Sequence, residues 1–203
     1  MKRTMIAAGA GLAVAVGCAT MDEAGYRKEA QESMKRDFQS RGMAKVDRLD
    51  QDEVQRVCTE YRDNPPPELG KRIEAAQLAT VKYPADGKLM GNWKTGERIA
   101  QNGRGFTWRD KPDAANGGSC YNCHQIAPQT TSFGTIGNSL YQFGKLRGYG
   151  PDMQRYVYAK IYNAKAYNAC SQMPRFGYYG VLTENQIKDL VALLLDPESP
   201  VNK

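Results

Sequence analysis

This 203-residue sequence predicts an all-α fold with an N-terminal helical extension. Three stretches carry that reading. Val46, Leu49, Val54, Val57, Cys58 and Tyr61 recur at helical spacing among charged and amide residues. Pro151-Asp152 opens a second amphipathic run, in which Met153, Val157 and Ile161 share a face. Thr183 stands three residues before Gln186, the spacing of a capping box, and Ile187, Leu190, Val191 and Leu194 follow as one apolar stripe.

In chain order, the first residues read as an export signal. Lys2 and Arg3 precede an apolar run from Met5 to Val16 that is too short to span a bilayer. The run ends at Ala15-Val16-Gly17-Cys18, which looks like a bacterial lipobox. Residues 1–18 are therefore a signal peptide, and Cys18 is the lipidation site. The alternative is ordinary cleavage near Ala19. On either reading the mature protein works in the periplasm, lipid-anchored on the first. Residues 19–44 are polar with little period and read as a flexible arm.

Residues 45–90 form the helical extension. One helix covers 45–62 and ends at Asn64-Pro65-Pro66-Pro67; a second runs over 68–80 with Leu69, Ile73 and Ala76 inward. Pro84-Ala85-Asp86-Gly87 is a turn. Residues 91–203 form the main domain. Trp93, Ile99 and Ala100 mark a short helix that stops at Gly103, and Phe106 and Trp108 read as core or cofactor-edge packing, with ligand binding by Trp108 the less favoured role. Glycines between 134 and 150 mark tight loops. Asp196-Pro197 closes the last helix.

Lys and Arg number 28 against 22 Asp and Glu, a formal charge of +6 that falls when Lys2 and Arg3 leave with the signal. No dense basic stripe interleaved with aromatics is present, so nucleic acid is not the expected partner. A modest basic surface suits the steering of an acidic redox partner.

The chemistry concentrates in Ser119-Cys120-Tyr121-Asn122-Cys123-His124. Cys-x-x-Cys-His is the attachment pattern of c-type haem. Two thiols at this spacing can add to the two vinyl groups of one porphyrin edge, and the next residue can bring an imidazole to the iron. His124 is the only histidine in the chain. The competing reading is a dithiol redox pair. A zinc site is poor, because it needs about four ligands. A backbone carbonyl in the loop 125–130 is expected to accept the proton of the second imidazole nitrogen and fix the ring.

Of the five cysteines, Cys18 belongs to the export signal and Cys120 and Cys123 to the haem. Cys58 and Cys170 remain, an even pair in an oxidising compartment, and are read as one disulfide. Two free thiols, or Cys170 as an iron ligand, are the alternatives. For the sixth iron position the candidate is Met173, in the polar loop Cys170-Ser171-Gln172-Met173-Pro174. A thioether opposite histidine raises the reduction potential and suits one-electron transfer. Met153, at helical spacing, is instead core filler, while Phe176 is placed to shield the iron from water. Lys145, Arg147 and Arg175 either rim the haem edge or are plain solvated charges. Iron with two protein ligands makes and breaks no bonds of its own, so no catalytic residue is assigned.

Three stretches carry a family resemblance. They are Cys120 to Ile126; Phe133-Gly134-Thr135-Ile136-Gly137-Asn138-Ser139-Leu140 with the 144–150 loop; and Met173-Pro174-Arg175-Phe176-Gly177 with Leu182-Thr183 and the ending Leu195-Asp196-Pro197-Glu198-Ser199-Pro200-Val201. Residues 91–201 thus resemble the class I cytochromes c and, more narrowly, the SoxX family, the monohaem subunit of the SoxAX complex of bacterial sulfur oxidation.

The resemblance implies a class I cytochrome c fold and one covalently attached haem c with axial ligands His124 and Met173. It implies a heterodimer with a SoxA-type cytochrome subunit and transient docking of the carrier SoxYZ. The complex would act as an L-cysteine S-thiosulfotransferase, joining thiosulfate oxidatively to a carrier cysteine, with bond-making on the partner subunit. This chain would relay the electrons to a soluble cytochrome c. The sequence departs from the family at Asn138, where proline is usual, and in its 45–90 extension, Cys58, Cys170 and Cys18. A generic exported electron-carrier cytochrome c is the alternative, and a haem protein that binds a small ligand a third reading.

Overall fold

The computed structural model describes residues 21–111 and 113–203. The signal peptide and Cys18 lie outside the described residues. Among the described residues the fold is all-α: seven α-helices and four 3₁₀ turns, with no strand. The chain divides into two units, one ending at Gln39 and one starting at Ser40.

In the first unit, α1 (Glu23–Asp37) forms where the sequence predicted an arm without helical period. Asp22 caps it by accepting from the Gly25 N–H at 2.8 Å. It has no buried residue, and pairs such as Arg27–Glu23 (2.9 Å) and Lys28–Glu32 (3.9 Å) line its surface. Periodicity missed it because a helix laced by i,i+4 ion pairs carries no apolar stripe.

The second unit holds both the extension and the main domain. The expected 45–62 helix is broken in two: a 3₁₀ turn at Val46–Leu49, then α2 (Glu53–Glu60). The break is caused by Asp52, which leaves the helical path to form a capping box with Gln55. Val46 and Tyr61 are consequently exposed, while Cys58 is buried. α3 (Pro67–Ala79) starts on a proline, whose missing N–H costs nothing at that position. Its buried face is Ile73 and Gln77; Ala76, expected inward, is exposed.

Cys58 and Cys170 form the expected disulfide, with Cα atoms 5.5 Å apart. Around it Ile73 and Ala169 are buried, and Val54, Val57 and Leu69 pack against them. A second tie is polar. The buried Asn163 amide donates to Gln77 Oε1 and Thr80 Oγ1, both at 3.0 Å.

The main core is built on α7 (Glu184–Leu195). Its capping box at Thr183 and Gln186 is present, and its stripe is buried: Ile187 and Val191 are fully covered. Each such side chain contributes roughly 1.5–3 kcal/mol. α4 (Trp93–Gln101) crosses α7 at close range, because Gly96 has no side chain. A Cβ there would strike the carbonyl of Asp189. The Asp189 carboxylate accepts from the Asn92 N–H at 2.7 Å, locking the start of α4. α6 (Pro151–Tyr162) buries Val157, Tyr158 and Ile161 on the same core, and Met153 packs against it as expected.

α5 (Phe143–Arg147), a short helix, stands where only glycine loops were foreseen. It is held by the chain's end. The buried Asn202 accepts from the Gly144 N–H at 2.9 Å and donates to the carbonyls of Asp196 (2.9 Å) and Leu194 (3.1 Å). Trp108, expected in packing, is 52% exposed, with the Arg109 guanidinium over its ring.

Candidate functional site

The Cys-x-x-Cys-His segment hangs from the C-terminal end of α4. The Gly118 N–H donates to the carbonyl of Ile99 (2.8 Å), and the Ser119 N–H to that of Asn102 (3.0 Å). Ser119 takes a left-handed conformation, φ 47°, and starts the 3₁₀ turn Cys120–Asn122. The turn closes when the N–H groups of Cys123 (3.1 Å) and His124 (2.9 Å) both donate to the Cys120 carbonyl.

A second strip of backbone zips onto this turn. The N–H groups of Gly134, Gly137 and Leu140 donate to the carbonyls of Tyr121, Cys123 and Gln125 at 2.7–2.8 Å. The strip orients the imidazole. Gly137 passes so close to the His124 ring that a Cβ would collide with it. His124 Nδ1 lies 2.7 Å from the carbonyl oxygen of Asn138. A carbonyl can only accept, so Nδ1 carries the proton and Nε2 keeps its lone pair for a metal. The accepting carbonyl was expected in 125–130; it comes from the strip opposite, because the 125–130 loop leads away while 134–140 folds back over the turn. The residue type at 138 matters little to this bond, since the backbone makes it.

The half-buried thiols of Cys120 and Cys123 are not bonded to each other. Burial pushes the Cys120 thiol up to about 12, and the neighbouring Cys123 adds to the rise. Reactive redox dithiols carry a thiol lowered toward neutrality, the opposite direction.

A cavity of about 320 Å³ opens beside the turn, and both His124 and Met173 line it. Its walls are largely apolar, with Leu140, Phe143, Val157, Ile161 and Leu194 among the lining and Arg147 and Lys160 as its cations. Cys120 and Cys123 belong to the turn that carries His124 rather than to the cavity wall. An imidazole with a free Nε2, a thioether and an apolar lining are donors and surroundings that can hold a haem. The residues fit the group.

Met173 is held by its N–H donating to Ser171 Oγ at 3.3 Å and by the disulfide at Cys170. With Cys170 bonded to Cys58, the reading of Cys170 as an iron ligand falls. Phe176 is buried in the main core and does not line the cavity, so it is not the shield that was expected. Lys145 and Arg147 are exposed, and Arg147 reaches the cavity rim. Arg175 is neither a rim nor a solvated charge. It is 4% exposed, paired with Asp52 and Tyr179, 3.3 Å from Gln77 Oε1, and stacked on the rings of Tyr178 and Tyr179.

No family model matches the chain. An uncharacterized lipoprotein of Aquifex aeolicus (strain VF5) is 39% identical over 159 residues, which cover 75% of this chain and 73% of the relative. The chain belongs to the family of this lipoprotein.

For this member of the lipoprotein family, sequence reasoning missed Asn138 and Gly137 as the parts that set the histidine, and Asp52 as the partner of Arg175. Gly137 left a signal, a glycine within the tight-loop run after the motif. Asp52 left none, because its partner lies far along the chain. Among the described residues no helix is long and apolar enough to cross a membrane.

Proposed function

We propose that the chain is an exported, lipid-anchored monohaem c-type cytochrome that relays electrons within a SoxAX-type complex. The observation that carries the haem reading is the shared cavity of His124 and Met173, with the imidazole set by Asn138 so that Nε2 is available. Cys120 and Cys123 would hold the porphyrin covalently, and His124 and Met173 would hold its iron. When bound, the haem supplies one-electron transfer at a raised potential. The chain's own residues orient the imidazole, keep the Met173 loop in place through Cys170, and line the site with apolar groups that exclude water.

Export and a lipid anchor at Cys18 rest on the signal-like N-terminus and on the relative's being a lipoprotein. The partners follow from the resemblance of residues 91–201: a SoxA-type subunit that holds the bond-making site for thiosulfate transfer to SoxYZ, and a soluble cytochrome c as acceptor. The tests are direct. Mass spectrometry of the exported protein should show one covalently held haem, lost in the double variant Cys120→Ala/Cys123→Ala. The oxidised protein should show a weak far-red sulfur-to-iron band that Met173→Ala removes; an unchanged band excludes Met173. Co-purification of a second cytochrome supports the complex, and its absence favours a generic electron carrier. Rapid carbon monoxide binding to the reduced protein would favour a ligand-binding role.

A further inference from the structure

Met173 lines a second cavity, of about 300 Å³, between α2 and the Ser171–Arg175 segment. Two buried cations reach it. Arg175, 4% exposed, spends its charge on Asp52. Among the described residues no carboxylate lies in contact with Lys165, which is 6% exposed: its ammonium donates to the Ala169 carbonyl at 3.1 Å and lies 3.8 Å from Cys58 Sγ. Burying an ammonium costs several kcal/mol unless an opposite charge in contact repays it, and the two carboxylates that act on Lys165, Asp52 and Asp63, do so from beyond contact distance. Burial pulls the Lys165 pKa down and Arg175 adds to it, while Asp52 and Asp63 pull it part of the way back.

Neutral donors face the same space. Ser171 Oγ accepts from the Met173 N–H, which leaves its hydroxyl proton to give. Gln55 uses its carboxamide oxygen to accept from the Asp52 N–H, leaving its NH₂ group. Asp63, exposed on the lining, is held by Gln172 Nε2 at 3.0 Å and is the one carboxylate on that wall.

We propose that this cavity binds a small tetrahedral oxyanion, with Lys165 as its counter-charge and Ser171 and Gln55 as hydrogen-bond donors. Donors from α2, from the Lys165 segment and from the Ser171 loop line one space of about 300 Å³, which suits a compact multi-acceptor anion. Asp63 opposes the anion and weakens its hold. The bound anion bridges the extension to the loop that carries Met173. The inference stands whether or not the haem reading holds.

The test is calorimetric titration of the full chain with sodium sulfate and, separately, sodium phosphate, at constant ionic strength in a chloride background. One saturable site is expected. Lys165→Gln lowers its affinity by roughly tenfold or more, while Lys94→Gln, an exposed lysine away from the cavity, leaves it unchanged. Asp63→Asn, which keeps an acceptor for Gln172, raises the affinity. If Lys165→Gln does not fold, Ser171→Ala takes its place and lowers the affinity. Absence of a saturable site for both anions overturns the proposal. So does unchanged binding in the foldable Lys165 or Ser171 variant, or weaker binding in Asp63→Asn.

Discussion

The Nδ1–H of His124 donates to the backbone carbonyl of Asn138 across 2.7 Å, while the intervening Gly137 leaves no room for a side chain beside the ring. Orientation of the only histidine in the chain thus depends on one backbone carbonyl and one missing methyl group. Gly137→Ala should displace the imidazole or the 134–140 strip. Overpacking of this kind costs about 1–3 kcal/mol. Thermal unfolding should report that loss, and the fraction of exported chain that carries haem should fall with it. Asn138→Ala, which keeps the carbonyl, should change neither by a comparable amount.

The Cys58–Cys170 bond closes a loop with a sequence separation of 112. In the chain-entropy account a loop of this size contributes on the order of 4–5 kcal/mol. The double variant Cys58→Ser/Cys170→Ser should lose much of that in a denaturant titration, with a steeper slope because the uncross-linked unfolded chain exposes more surface. A midpoint equal to the wild type's would mean that the unfolded chain is already held compact by other contacts.

Asp52 gives a pH test. Burial raises its carboxyl, but the Gln55 N–H and the Arg175 guanidinium more than offset this and hold it below the ordinary value of 3.8. A carboxyl depressed in the folded state contributes stability above its unfolded pKa, and the contribution is lost as pH falls through the folded value. Asp52→Asn should therefore be less stable than wild type near pH 7, by about 1.5–3 kcal/mol for a charge-assisted bond. The difference should hold down to about pH 4 and close below it. Paired melts across that range check both the size and the sign.

Thr183 caps α7 by accepting from the Gln186 N–H at 3.3 Å, and the Gln186 carboxamide returns to the Thr183 N–H at 3.0 Å. Thr183→Ala should cost about 1 kcal/mol. Because α7 is the spine of the main core, the loss should appear in global unfolding and not as local fraying. Hydrogen exchange of the Leu190–Leu195 amides would show it, with all of them losing protection together.

What the sequence made legible follows from how local each signal is. The α7 capping box, the α6 face and the Pro84–Gly87 turn depend on neighbours within a few residues, and all three are present. The disulfide was reached by elimination among five cysteines. The interior role of Arg175 was illegible, because a cation is buried only when distant partners neutralise it, here Asp52 from α2's cap and Tyr179. Trp108 failed in the opposite direction: a large ring next to a motif reads as packing, yet it stays half in water under Arg109. The Asn138 carbonyl was invisible for another reason. Backbone acceptors carry no residue identity, so no letter in the sequence marks them.

The covalent ring closed by Cys58 and Cys170 contains Cys120, Cys123 and His124. A single proteolytic cut anywhere inside it leaves one molecule, whose two pieces separate only under reduction. A cut between Cys170 and Thr183 instead frees α7 from everything but non-covalent contact. The two halves of the polypeptide therefore differ in how they survive damage, and gels run with and without reductant would map where a nick has fallen. The same ring makes the order of thiol chemistry consequential. Cys58 and Cys170 have to find each other in the presence of Cys120 and Cys123, and a wrong bond from Cys170 to either of these would lock His124 into a loop that the native fold does not contain.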